Sequence, residues 1–243
     1  MAMPSEKNIE IFGIDADDTL WSHAGHYVLA EQALCEILSD YGESTATIEH
    51  LRRVEARNLP LYGFGVKGFT LSMIEVATER AGANLSPAII SEIVGMGRAL
   101  LEHPIELLPS VQEGLERLAS EYRLVLITKG DLLDQERKLA ESGLRSYFDA
   151  ADIVSNKTRE VYEKVFRRYT HSMNQAVMIG DSLRSDILPA VEAGAWGIHI
   201  PQNVVWSLDH ADKPNDTAAI RQVEEFGGVV SVIDEIELLV DAR

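Results

Sequence analysis

The sequence predicts an α/β fold, a parallel sheet covered by helices on both faces, with an all-helical segment inserted after the first strand. Three observations point to it. The apolar, β-branched runs IEIFGID, RLVLITKGD and AVMIGDS each stop at polar or glycine residues, as buried strands do. Helical patterns separate the strand signals, and strands alternating with helices imply parallel pairing. Between about Ser22 and about His103 this alternation gives way to helical periodicity alone.

Taken in order, IEIFGID is the first strand and ends at Asp15. Four helical stretches follow: GHYVLAEQALCEILSDYG, TIEHLRRVEARN, GFTLSMIEVATERAG and SPAIISEIVGMGRALLEH, the last with Pro87 suited to a first helical position. The next helix, SVQEGLERLASEY, carries Ser110 and Glu113 at the spacing of a capping box. Beyond the second and third strong strands, ADIVS, WGIHIP and GGVVSVI give weaker strand signals, and His210 to Ala219 reads as a polar surface loop. The division expected is a catalytic core from residues 1–21 and 104–243, with residues 22–103 as the helical insert.

Composition narrows the functions open to the chain. Its 243 residues are 46% hydrophobic and 25% charged, with no apolar run long enough to span a bilayer, so no membrane partner is expected. The single cysteine, Cys35, allows no internal disulfide, and the first ten residues do not resemble a signal peptide; a reducing cytoplasm is the expected location. Cys35 itself falls in an apolar helical stretch and reads as core. A formal net charge of −17 argues against nucleic acid, which requires a basic stripe. A small anionic substrate is compatible with that charge only if a metal ion or placed cations reverse the field locally.

In open parallel sheets ligands bind beyond the carboxyl ends of the strands. Those ends read Asp15 to Asp18, Thr128-Lys129-Gly130-Asp131, and Gly180-Asp181-Ser182. Asp15 and Asp17, two apart in extended chain, face one way and repel unless a cation separates them or one keeps a proton. Asp181 and Asp186 add carboxylates at a neighbouring strand end, and an oxygen-only cluster suits a hard ion such as Mg²⁺. Thr128 and Lys157 offer a hydroxyl and an ammonium that together hold a phosphate beside the metal. Lys129 either adds charge to that pocket or points to solvent.

On these residues the chain resembles the haloacid dehalogenase superfamily, specifically its phosphatases with a C1-type helical cap. DADDT matches the first motif, Thr128 the second, Lys157 the third and GDSLRSD the fourth, in the expected order. The resemblance implies a Rossmann-like three-layer core, with the insert as a cap that selects substrates. It further implies Asp15 as nucleophile, Asp17 as acid/base, and Mg²⁺ held by Asp15, the Asp17 carbonyl, Asp181 and, directly or through water, Asp186. The activity implied is hydrolysis of a small phosphorylated metabolite through an aspartyl phosphate. A phosphomutase of the β-phosphoglucomutase kind shares that chemistry; a dehalogenase, a receiver domain or a non-catalytic binder fits less well. Three positions depart from the pattern: Asp18 replaces a frequent glycine, Lys129 a frequent asparagine and Thr158 a common proline.

Other features have plainer readings. Asp18 is expected to cap the following turn. GFGVKG, Gly63 to Gly68, satisfies a dinucleotide-binding spacing, but the stretch before it is helical, so it reads as an interhelical loop from which Lys67, Tyr62 and Phe64 could touch a leaving group. His23 and His26 have zinc-like spacing without further ligands nearby, so packing or substrate contact is expected of them.

Overall fold

In the computed structural model, residues 7–204, 206, 209–212, 214 and 218–240 are described. Six parallel strands form one sheet in the order β3-β2-β1-β4-β5-β6, where β1 is Ile11–Ile14, β2 Arg123–Lys129, β3 Ala150–Val154, β4 Ala176–Gly180, β5 Trp196–His199 and β6 Ile220–Gln222. The order reverses between β1 and β4, which creates the crevice where doubly wound sheets bind ligands.

Alternation along the strands builds two cores. Phe12, Ile14, Leu124, Leu126, Val177 and Ile179 face a layer holding α5 (Val111–Ala119) and α9 (Val229–Val240). Ile11, Val125, Ile127, Ala176 and Met178 face Tyr162, Val165 and Phe166 of α7 (Arg159–Phe166) and Ala190 of α8 (Leu188–Glu192). Full burial of side chains of this size stabilises by roughly 1.5–3 kcal/mol each.

The inserted segment is helical as expected: α1 (Ala24–Ile37), α2 (Ser44–Tyr62), α3 (Val66–Ala81) and α4 (Pro87–Leu101). Pro87 opens α4 behind Ser86, whose hydroxyl accepts from the Ile89 amide. The four helices enclose a separate core of Leu34, Leu38, Leu51, Val54, Phe69, Met73, Val76 and Ile93, with Cys35 also buried. The chain leaves and re-enters the sheet region side by side, the Leu108 amide donating to Leu20 and the Ser22 amide to Glu106.

Two local expectations are corrected. GGVVSVI is not a strand: Phe226–Gly228 form a short 3₁₀ turn and α9 begins at Val229, while the last strand lies earlier, at Ile220–Gln222. Val229, Ile233, Ile236 and Val240 are buried at helical spacing, a pattern that runs well past the seven residues that suggested a strand. Ser110 and Glu113 form no capping box. Ser110 has φ +60°, outside the extended region an N-cap occupies, and its hydroxyl meets Glu225 instead. Among the described residues no helix is long and apolar enough to cross a membrane. Part of the loop His210 to Ala219 (213, 215–217) lies outside the described residues.

Candidate active site

The carboxyl ends of β1 and β4 bring three carboxylates together. Asp15, Asp181 and Asp186 each offer an oxygen, and these oxygens lie within 4.8 Å of one another. The Lys157 ammonium bonds Asp15 and lies 2.6 Å from Asp186 Oδ1. Gly180 makes room for this fold: a Cβ there would stand 2.5 Å from Asp186 Cγ. Lys157 sits just ahead of α7, which Thr158 caps by accepting from the Val161 amide.

The electrostatics of this cluster call for a cation. Burial, and next the charge of Asp186, push the Asp15 carboxyl up, although Lys157 opposes them. Asp181 is pushed well up by burial, then by Asp186 and Asp15. Lys157 is buried too, yet Asp15 and Asp186 keep its ammonium firmly charged. Three clustered carboxylates against one ammonium leave net negative charge in a buried site, and the donors are all hard oxygens. Asp15, Asp181 and Asp186 therefore fit a divalent ion of the Mg²⁺ type.

Asp17 lines the same cavity but has its own partners. Its carboxylate accepts from Lys138 Nζ at 2.6 and 2.8 Å, from Trp21 Nε1 at 2.7 Å and from Gln135 Nε2 at 3.0 Å. Burial alone would raise its pKa; His23, Lys138 and these hydrogen bonds outweigh burial and hold it well below the usual carboxylate range. Burial pushes His23 itself down to about 4. His23 is thus uncharged at neutral pH, and Lys138 is the cation that keeps Asp17 ionised. In this arrangement the Asp17 carboxyl is ionised.

The end of β2 supplies Thr128, whose hydroxyl is 2.6 Å from Gln135 Nε2. Lys129 points neither to open solvent nor to an unshared pocket position: it bonds Ser185 Oγ at 2.7 Å and Asp209 Oδ1 at 2.8 Å, with the Phe64 ring centroid 4.4 Å away. Phe64 belongs to the GFGVKG turn between α2 and α3, where no strand precedes the glycines, which removes the dinucleotide reading. Gly65, at φ +122°, brings this turn so close to Asp131 that a Cβ would lie 3.3 Å from its amide nitrogen. Lys67 bonds Asp131 at 3.1 Å, and Tyr62 is exposed at the cavity rim.

Asp18 does no more than the local task expected of it. It accepts from the His23 and Ala24 amides at the start of α1 and has φ +60°, a conformation that glycine adopts most readily. His23 lines the cavity, whereas the His26 ring lies tilted against that of His103, centroids 3.6 Å apart.

The cavity enclosed by these groups and the insert has a volume of about 210 Å³. Beyond the strand-end residues it is walled by Tyr27, Glu55, Phe64, Phe69 and Trp206. Lys138, Gln135, Glu55 and Asp209 were not foreseen. The sequence pattern did not mark the first two, which the structure turns inward. In α6 (Leu132–Glu141), Leu132 and Leu133 are exposed while Asp134, Gln135 and Lys138 are buried, an inversion of the usual amphipathic arrangement directly after a site-forming strand.

Known proteins resemble this one over most of its length. A glyceraldehyde 3-phosphate phosphatase of Methanothermobacter thermautotrophicus is 27% identical over 238 residues, covering 93% of this chain and 95% of that one. The pyrimidine 5'-nucleotidase YjjG of Escherichia coli is 27% identical over 192 residues, covering 74% and 80%. Among solved structures, a haloacid dehalogenase-like family hydrolase from Xanthomonas campestris superposes with a TM-score of 0.87 at 38% identity, covering 99% and 97%. The family model of the haloacid dehalogenase-like hydrolases matches residues 9–194, and the chain belongs to that family of hydrolases.

Proposed function

We propose that the protein is a Mg²⁺-dependent phosphomonoester hydrolase acting on a small phosphorylated metabolite through an aspartyl phosphate on Asp15. Residues 22–103 serve as its cap over a core of residues 1–21 and 104–243, and a reducing cytoplasm suits its lone cysteine. The observation that carries the reading is the cluster of Asp15, Asp181 and Asp186 around Lys157 beside the β1/β4 crevice. The named phosphatase and nucleotidase relatives support the class of reaction.

Held by Asp15, Asp181 and Asp186, with the Asp17 carbonyl as a further ligand, Mg²⁺ would neutralise charge on the phosphoryl oxygens. Asp15 attacks phosphorus, forming an Oδ–P bond as the bond to the ester oxygen breaks. Lys157 and the Thr128 hydroxyl steady the phosphoryl oxygens, and Lys129 adds positive charge at the edge of the site. Asp17 gives a proton to the departing oxygen. It then takes one from the water that attacks the acyl phosphate, which releases phosphate and restores Asp15. Lys138 opposes the protonation this requires. An incoming phosphate dianion acts in the other direction, raising the affinity of nearby carboxyls for protons, so substrate binding readies Asp17.

A phosphate-release screen over sugar phosphates, nucleotides, flavin phosphates and small phosphoacids, with and without Mg²⁺, tests the reading. Release that requires Mg²⁺ and disappears in Asp15→Asn is expected. Isomer formation without phosphate release would assign a phosphomutase, and no turnover of any ester would end the enzyme reading.

A further inference from the structure

The wall that the insert contributes to the cavity holds a group that the chemistry above does not use. Glu55 projects from α2 into the cavity wall, is only 8% exposed, and its Oε2 is buried without a hydrogen-bond partner. Among the described residues it makes no ion pair. A buried carboxylate oxygen left unpaired carries the full cost of its desolvation, and folded proteins rarely leave one so unless something else supplies the donor.

The neighbouring Asn58 and Ser72 do not supply a donor to Oε2. The Asn58 amide is committed to Ser72 Oγ at 3.1 Å and Glu75 at 2.7 Å, and the Ser72 hydroxyl to the Gly68 carbonyl at 2.9 Å. The surrounding wall is largely aromatic, with Tyr27, Phe64, Phe69 and Trp206. Burial pushes the Glu55 carboxyl up to about 7; Glu31 adds to that, while a Trp206 hydrogen bond and Arg52 work against it. A bound donor would favour the ionised form.

The charges around Glu55 also discriminate. Lys129 is occupied by Asp209, and Lys138 by Asp17. Arg52, the remaining lysine or arginine among the described lining residues, is exposed, and both Glu31 and Glu55 oppose its charge. A second anionic group on a substrate would therefore meet two carboxylates and no uncompensated cation.

We propose that Glu55 makes this cavity select phosphate esters whose alcohol portion presents an O–H or N–H donor and carries no second anionic group. The inference rests on the phosphomonoester-hydrolase reading and narrows it to polyol-like or amino-alcohol-like leaving groups. Glu55 is a specificity residue: it orients the departing alcohol and takes no part in bond making.

Three esters with a common three-carbon skeleton test it: glycerol 3-phosphate, 3-phosphoglycerate and n-propyl phosphate, with p-nitrophenyl phosphate as a reference. The readout is the ratio of kcat/KM between esters within one protein, which cancels any loss of folded enzyme. In the wild type, glycerol 3-phosphate should exceed n-propyl phosphate by about ten-fold or more, as one well-made hydrogen bond gives, and should exceed 3-phosphoglycerate further. In Glu55→Leu the first ratio should fall toward one, and in Glu55→Gln the disadvantage of 3-phosphoglycerate should shrink. A wild-type ratio near one, a preference for 3-phosphoglycerate, or ratios unchanged in both variants would overturn the inference while p-nitrophenyl phosphate turnover leaves the hydrolase reading standing. No turnover of any of the four esters would overturn both.

Discussion

Replacing Glu55 by Gln isolates the energetic cost of keeping a carboxyl in the insert's wall of the cavity. Its pKa rises from an ordinary 4.5 to about 7, chiefly through burial, with Glu31 and Arg52 the charged groups that bear on it. A raised carboxyl pKa contributes stability that is fully present below the unfolded value and is lost as pH rises through the folded one. The gap between the two values, at 1.36 kcal/mol per pH unit, amounts to about 3 kcal/mol. Glutamine has no charge to desolvate, so the stability of Glu55→Gln relative to wild type should improve by about 3 kcal/mol between about pH 4.5 and about pH 8. Other titrating groups are common to both proteins, so the difference between the two curves reports Glu55. Urea unfolding of both proteins across that range is the assay, read as the difference in extrapolated unfolding free energy. A difference that stays constant with pH would refute the claim that burial of Glu55, with its Oε2 unpaired, disfavours the charged form.

Other expectations follow from the site. Lys138→Met removes one partner of a largely buried pair and should cost about 3 kcal/mol at neutral pH. Because Asp17 has a depressed pKa, its contribution is present above the unfolded value and lost on acidification, so this cost should shrink as urea titrations move to low pH. Mg²⁺ at a hundred times its Kd should stabilise the wild type by about 2.7 kcal/mol, seen as a rise in Tm, and Asp181→Asn should abolish most of that rise. Gly180→Ala places a methyl against the Asp186 carboxylate and should lose about 1–3 kcal/mol together with Mg²⁺ affinity, measurable by calorimetry.

The parts of the site that could be read from the sequence are those fixed by strand ends. Asp15, Thr128 and Asp181 terminate apolar runs whose burial dictates where the next residue must point, so local pattern was enough to bring them together. Asp18 was legible for a similar reason, since its role is confined to the turn it starts. Residues delivered by helices were not. Lys138 and Glu55 sit among other charged residues in ERKLAE and RRVEARN, and only tertiary packing decides which of those charges turns inward. The apolar tail GGVVSVIDEIELLV misled because its first seven residues suit strand and helix alike, and the longer period decides. Ser110 shows the limit of spacing motifs: the residues of a capping box are present, but a left-handed backbone aims the serine elsewhere.

In the proposed reaction Asp15 is the group that takes the phosphoryl group from the substrate. The direct measurement is mass spectrometry of the peptide carrying residues 9–21, from protein acid-quenched during turnover of p-nitrophenyl phosphate with Mg²⁺. A phosphoryl group on Asp15, absent from Asp15→Asn and from unreacted protein, is the result expected. Continued phosphate release by Asp15→Asn, or turnover in which the wild-type peptide never carries phosphate, would contradict it.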